Sequence, residues 1–212
     1  MLWIWPAGIV IAFVTAGRPY YVLPLTVTVL LVGVVDFVRR DKARLLGGLL
    51  VVSTAVTIPL AAPVLPRGTV DVQAAVNEAA AETVGWPELV DQIAGIVRDL
   101  PAEERDHLVL FTLTYGEAGA IDRFGPARGL PHAYSGHNSY ADFRQPTDPD
   151  ATVVGVRVQP GLLAPYFESC EQVATIDNGL DIDTDAQGTP IIVCRDLHTP
   201  WPEVWEHLRR LS

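Results

Sequence analysis

The sequence predicts an α-helical membrane stem of three transmembrane helices, residues 1–66, followed by a small three-layer α/β extracytoplasmic domain, residues 67–212. Three observations predict it. The chain is 49% hydrophobic with mean hydropathy +0.25, yet carries a formal net charge of −10, and so acidic a balance normally accompanies a polar composition. The two properties separate along the chain: residues 1–66 hold five basic and two acidic residues, net +3, and residues 67–212 hold the other ten basic and 23 acidic, net −13. The second half then alternates helical and strand patterns, as a layered α/β domain does. No nucleic-acid partner is expected, because the acidic half repels phosphate and the basic cluster lies between apolar runs.

The stem is read from three apolar runs. Residues 1–17, MLWIWPAGIVIAFVTAG, form the shortest. A secretory signal peptide is its alternative, but the run lacks a basic leader and opens with Trp3 and Trp5, residues typical of a membrane interface. Residues 19–35 are uncharged, and residues 45–66 hold no charge over 22 positions, about 33 Å as helix against a hydrocarbon core of about 30 Å. Between the last two lies RRDKAR, residues 39–44, with four basic residues. The positive-inside rule puts that loop in the cytoplasm. The expected location is therefore a multi-pass protein of the cell membrane, with the bilayer as partner and the C-terminal domain outside. Cys170 and Cys194, the two cysteines of the chain, both fall in that domain, where an oxidising compartment permits a disulfide. Two separate buried thiols are the alternative, since spacing alone does not bring two sulfurs together.

The outer domain is long enough for one core. Leu89, Val90, Ile93, Ile96, Val97 and Leu100 recur at helical spacing in residues 86–100, with Pro87 suited to a first turn. HLVLFTL, residues 107–113, reads as a strand, and residues 116–124 as a short helix after a glycine-bearing turn. Further strands are expected at 153–158, 171–176 and 190–195, and short helices near 160–167 and 201–210. Residues 139–150 read as an exposed loop rich in turn formers. Trp201 and Trp205, four apart, suit packing into a core.

The chemistry concentrates in YGEAGAIDRFGPARGLPHAYSGHNSY, residues 115–140. Tyr115, Glu117, Asp122, Arg123, His137, Asn138 and Tyr140 are the candidate substrate-binding residues, and His132 and Ser135 lie in the same stretch. A strand ending before Tyr115 would let Gly116 and Gly119 turn backbone amides toward a ligand, the usual place for a site in an α/β sheet. The plainer reading makes Glu117 and Asp122 helix-capping charges and residues 136–139 a turn. No HxH, HExxH or CxxC spacing occurs, so no metal and no cofactor is expected. Ser135 and His137 lack the Gly-x-Ser-x-Gly context of a hydrolase.

Three segments carry a family resemblance. GRPYYVLPLTVTVLLVG (residues 17–33), GWPELVDQIA followed by YGEAGAIDRFG and LPHAYSGHNSY, and the closing VCRDLHTPWPEVWEHLRRL resemble the C-terminal portion of bacterial membrane glycosyltransferases related to protein O-mannosyltransferases and aminoarabinose transferases. The resemblance implies transfer of a sugar from a polyprenyl-phosphate donor with inversion at the anomeric carbon, a carboxylate acting as base on the acceptor hydroxyl. It implies that Arg18, Tyr20 and Tyr21 meet the lipid phosphate at the outer interface, where an interfacial anchor of cation and aromatic belt is the plainer reading. Members of the family carry the catalytic acidic residue in an external loop after their first helix, and this chain has no such loop. The catalytic residue is therefore unknown, and the expected function is that of a C-terminal region lacking the catalytic N-terminal half, with that half as a further partner. A membrane-anchored glycan-binding or accessory module is the competing reading. A soluble hydrolase released by signal cleavage is the third.

Overall fold

The apolar N-terminal runs form three helices: α1 (Ile4–Val14), α2 (Leu23–Arg39) and α3 (Ala43–Ala61). In this computed structural model the residues described are 4–14, 23–61, 82, 84–179 and 182–211. Two units divide the chain, Met1–Val64 and Leu65–Ser212.

The three transmembrane helices predicted from the apolar runs are not found: among the described residues no helix is long and apolar enough to cross a membrane. Length and composition give the reason. α1 and α2 have 11 and 17 residues, about 17 and 26 Å at ~1.5 Å per residue, short of a ~30 Å core. α3 has 19 residues, but Arg44 stands in its first turn and Pro59 inside it, leaving fewer than the ~20 apolar positions a span needs. Each apolar run counted in the sequence is longer than the helix described within it. The described helices nevertheless expose large apolar side chains, among them Val10, Ile11, Leu30, Leu31, Leu49 and Val51.

The second unit is an α/β fold built on a five-stranded mixed sheet of order β2-β1-β3-β5-β4. Its first described helix is α4 (Trp86–Asp99), where Pro87 sits in the first turn and Glu88 and Arg98 complement the positive and negative helix ends. The periodic residues Leu89, Val90, Ile93, Ala94 and Val97 are its buried face. A short helix α5 (Ala102–Asp106) leads to β1 (Leu108–Thr112), α6 (Tyr115–Phe124) and the two-residue β2 (Ala133–Tyr134). A 3₁₀ segment, Asn138–Asp142, precedes β3 (Thr152–Val156); α7 (Pro160–Leu163), β4 (Phe167–Thr175), β5 (Pro190–Leu197) and α8 (Trp201–Leu208) complete the unit.

Strands β2, β1 and β3 run parallel, and β5 and β4 are antiparallel additions. The central strands are buried on both faces, as helix-covered parallel strands must be. Leu110, Val154, Val156, Ile191 and Val193 pack with Leu89, Ile93 and Ile121 on one side of the sheet. The alternate residues Val109, Phe111, Val153, Ile192 and Cys194 pack with Leu163, Trp201, Val204 and Trp205 on the other. Each fully buried aliphatic side chain here contributes about 1.5–3 kcal/mol. Trp205 meets Phe111 edge-on at 6.3 Å and Trp201 meets Phe167 in the same manner, while the Trp201 indole N–H donates to the Asp148 carbonyl at 2.7 Å. Both tryptophans are thus core residues.

Cys170 and Cys194 form a disulfide between paired positions of β4 and β5, with Cα atoms 4.1 Å apart. β4 begins at Phe167, four residues before the strand expected from the sequence, because most positions of this edge strand face solvent and show no alternation.

Candidate functional site

The strand order carries the location of the site. β1 connects through α6 to β2 on one side, while β3 pairs with β1 on the other. Chains leaving the carboxyl ends of β1 and β3 therefore diverge, and ligands of open α/β sheets bind at such a switch point. Four chain segments meet there: residues 113–117 after β1, 135–138 after β2, Arg157 after β3, and the C-terminal segment after α8.

Each segment is held by a local physical cause. Thr112 Oγ1 donates to the Thr114 carbonyl at 2.7 Å, tightening the turn out of β1. Thr114 then caps α6 in a capping box: its hydroxyl accepts from the Gly116 amide at 3.2 Å, and Glu117 accepts from the Thr114 amide at 3.1 Å and from its hydroxyl. Glu117 is 4% exposed. Its other carboxylate oxygen accepts from Arg157 Nη1 at 3.0 Å, and Arg157 Nη2 lies 3.1 Å from the exposed Asp185. Arg157 holds φ +61°, and Asn138 in the neighbouring loop φ +53°, left-handed values uncommon outside glycine.

The 135–138 loop is clamped by the chain end. The Asn138 amide donates to the Arg210 carbonyl at 2.8 Å, the Arg210 amide to the Gly136 carbonyl at 2.9 Å, and Arg210 Nη2 to the Leu113 carbonyl at 2.5 Å. Gly136 is required for this approach, because a Cβ there would stand 2.0 Å from the Leu208 carbonyl oxygen. The clamp holds His137 in place. Its ring lies 4.8 Å from that of Tyr115, tilted by 32°, and Tyr115 is 53% exposed while His137 is 8% exposed. Neither His137 ring nitrogen has a hydrogen-bond partner among the described residues. Burial, reinforced by the charges of Arg210 and Arg157 against that of Glu117, holds the imidazole below its usual pKa. At neutral pH it is uncharged, with one N–H donor and one acceptor nitrogen.

The remaining sequence candidates lie in a different arrangement. Asp122 accepts from the Tyr140 hydroxyl at 2.7 Å and the Ala133 amide at 2.9 Å, with His132 and Arg144 each 3.3 Å away. Burial works to raise the Asp122 carboxyl, but Tyr140, the amide and Arg144 outweigh it and hold it below the carboxylate range. Burial and the bond to Asp122 push the Tyr140 phenol well above its ordinary value. This group is a latch between the end of α6, the start of β2 and the turn after it. Arg123 is exposed beside the Phe124 ring. Arg18, Tyr20 and Tyr21, the expected lipid-phosphate residues, lie outside the described residues. The structure thus brings Tyr115, Glu117, His137 and Asn138 to one place with Arg157, Asp185 and Arg210, which the sequence reading missed.

Three further side chains, His107, Asp148 and Asp150, have potential ligand atoms within 4.8 Å of one another. They satisfy one another: His107 Nδ1 lies 2.8 Å from Asp148 Oδ2, and the Asp150 amide donates to Asp148 Oδ1 at 3.0 Å. Two open grooves of about 440 and 520 Å³ lie near the same end of the sheet, lined by residues such as Pro146, His198 and Pro200 in one and Glu103, Glu168 and Arg195 in the other. That end is opposite the segments around His137.

No protein-family model, curated protein or solved structure matches this chain. The cluster therefore has to be read from its own chemistry. It offers an exposed aromatic edge, a neutral imidazole and two guanidinium groups, with its one buried carboxylate already bonded.

Proposed function

We propose that this chain belongs to a polyprenyl-phosphate-sugar-dependent membrane glycosyltransferase, as its C-terminal region, and that its α/β domain recognises a saccharide outside the cytoplasm. One observation carries the reading. The segment that bears the family resemblance, residues 115–140, supplies Tyr115, Glu117 and His137 at the sheet's switch point, together with the latch that fixes its second half. The Cys170–Cys194 disulfide supports an oxidising, extracytoplasmic setting. The apolar side chains exposed along α1, α2 and α3 need a cover of lipid or protein, and the bilayer is the partner proposed for them.

Recognition rather than the chemical step is the role proposed for this domain. A general base must be free to take a proton from the acceptor hydroxyl. Glu117 is committed to Thr114 and Arg157, and Asp122 to Tyr140 and the Ala133 amide. The same commitment favours the second reading, an accessory module that binds glycan for a separately encoded transferase. Incubating the chain in lipid vesicles with a radiolabelled polyprenyl-phosphate sugar and a hydroxyl acceptor tests the assignment. Saccharide binding without turnover is expected. Turnover abolished by Glu117→Gln would overturn the recognition role, and failure to bind any saccharide would overturn the assignment itself.

A further inference from the structure

The amino ends of β1 and β3 carry a set of metal-ligating side chains that the sheet itself assembles. β1 and β3 pair in parallel with Leu108 opposite Thr152, and the Thr152 amide donates to the His107 carbonyl at 3.1 Å. That register sets His107, the residue before β1, beside the turn Asp148–Pro149–Asp150 that leads into β3. The turn is held in place: buried Trp201 donates its indole N–H to the Asp148 carbonyl at 2.7 Å, and the Asp150 amide donates to Asp148 Oδ1 at 3.0 Å. One imidazole and two carboxylates thereby place ligand atoms within 4.8 Å of one another. His107 and Asp148 are 41 positions apart in sequence, so the set arises from strand pairing and not from a local spacing motif.

The bonds within the set use only part of its capacity. His107 Nδ1 and Asp148 Oδ2 lie 2.8 Å apart. Among the described residues, the second imidazole nitrogen and the Asp150 carboxylate have no hydrogen-bond or ion-pair partner, and no lysine or arginine pairs with any of the three. All three are accessible: the His107 and Asp148 side chains are 45% and 35% exposed, and Asp150 is exposed. Asp150 also lines the open groove of about 520 Å³, together with the carboxylates of Glu103, Glu104, Glu168 and Asp196. The guanidinium in that lining, Arg195, is already bonded to Glu104 and Glu171. The set therefore faces an approach of negative potential, which concentrates cations.

The donor chemistry selects the ion. Ligand atoms bound to a common zinc ion at ~2.0–2.2 Å stand about 3–3.5 Å apart, so small rotations of exposed side chains close the present spread. Imidazole suits zinc and its first-row neighbours, whereas calcium and magnesium take oxygen ligands. Three protein ligands also leave a coordination position open toward the groove. We infer that His107, Asp148 and Asp150 bind a divalent transition-metal ion of the zinc type, which ties the turn before β3 to the start of β1. The inference is independent of the saccharide reading and concerns the opposite end of the sheet.

Calorimetric titration of the chelator-stripped full chain with zinc chloride tests it, with calcium and magnesium chloride in parallel. Expected is one zinc ion per chain with a micromolar Kd, and calcium and magnesium binding at least about 100-fold weaker. Zinc at about 100 times its Kd should raise the Tm by about 5–10 °C. His107→Asn and Asp150→Ala are each expected to weaken zinc binding at least about tenfold. The Asp150 side chain makes no bond within the protein among the described residues, so that variant keeps the test valid if His107→Asn folds poorly. Zinc binding that survives both substitutions would place the ion elsewhere and overturn the site. Calcium or magnesium bound as tightly as zinc would overturn the class of ion, and no zinc binding at micromolar concentration would overturn the inference altogether.

Discussion

Removing Arg157 is the most informative perturbation of the domain's stability, because it leaves a buried carboxylate without its counter-charge. The Glu117 side chain is 5% exposed, and that of Arg157 19%. Breaking a buried pair by deleting one partner costs about 3–5 kcal/mol. Glu117 would keep its bonds from the Thr114 amide and hydroxyl, and such charge-assisted bonds are worth about 1.5–3 kcal/mol each, so Arg157→Met is expected at the lower end, about 3 kcal/mol. Methionine keeps the stem and takes the same backbone conformation as any L residue, so the substitution changes charge more than strain. A domain of this size loses about 2–4 °C per kcal/mol, which predicts a Tm fall of about 6–12 °C. Adding Glu117→Gln removes the stranded charge while its amide oxygen can still accept from Thr114. The double variant should therefore sit within about 1 kcal/mol of wild type, a coupling of at least about 2 kcal/mol. Asp185 is 70% exposed, and Asp185→Ala should cost under ~0.5 kcal/mol. Urea unfolding followed by the fluorescence of buried Trp201 and Trp205 measures wild type, Arg157→Met, Glu117→Gln, their double variant and Asp185→Ala. An Arg157→Met cost under ~0.5 kcal/mol, or a double variant as unstable as the sum of the singles, would refute the reasoning.

Three further outcomes follow from the same geometry. His137 has a folded pKa below its unfolded value near 6.5, so the unfolded chain binds the extra proton first and stability falls as pH drops below about 6.5. His107 is raised by its hydrogen bond to Asp148 and then by that residue's charge, so its contribution has the opposite sign, present at low pH and lost as pH rises through its folded value. Thermal scans from pH 7.5 to 5 should show the acid-side loss shrink in His137→Phe and grow in His107→Asn. Gly136→Ala forces the 135–138 loop away from the Leu208 carbonyl and should cost about 1–3 kcal/mol, with faster amide exchange at Asn138 and Arg210. Reducing the Cys170–Cys194 disulfide, or replacing both with serine, opens a loop with a separation of 24 residues and should lower stability by about 3 kcal/mol.

Much of the domain's fold was legible because its signals are local. The apolar period of residues 86–100 and the runs at Leu108–Thr112 and Pro190–Leu197 correspond to α4, β1 and β5. Thr114 and Glu117, three apart before a helical run, are the sequence form of the capping box found there. Arg157 was hidden because VVGVRV reads as one strand, whereas β3 ends at Val156 and the next residue turns to positive φ. The lone arginine in that apolar run was the available signal. Arg210 had none, since its role comes from a chain-end contact with a loop some 70 positions away. β2 spans two residues, too few for any alternation to register. Asp122 and Tyr140 belonged to the right stretch but to a latch, a distinction that needs the fold. The predicted membrane crossings went astray for another reason: uncharged stretches were counted as helix, and the described helices are shorter or interrupted.

Hydrogen–deuterium exchange of the full chain with and without a neutral oligosaccharide tests the central claim most directly, since it asks where a saccharide rests without presuming the answer. Protection is expected at residues 113–117, 135–138 and 157, the segments that surround His137. Protection confined to residues 145–149 and 197–202, around the groove at the opposite end of the sheet, would contradict it.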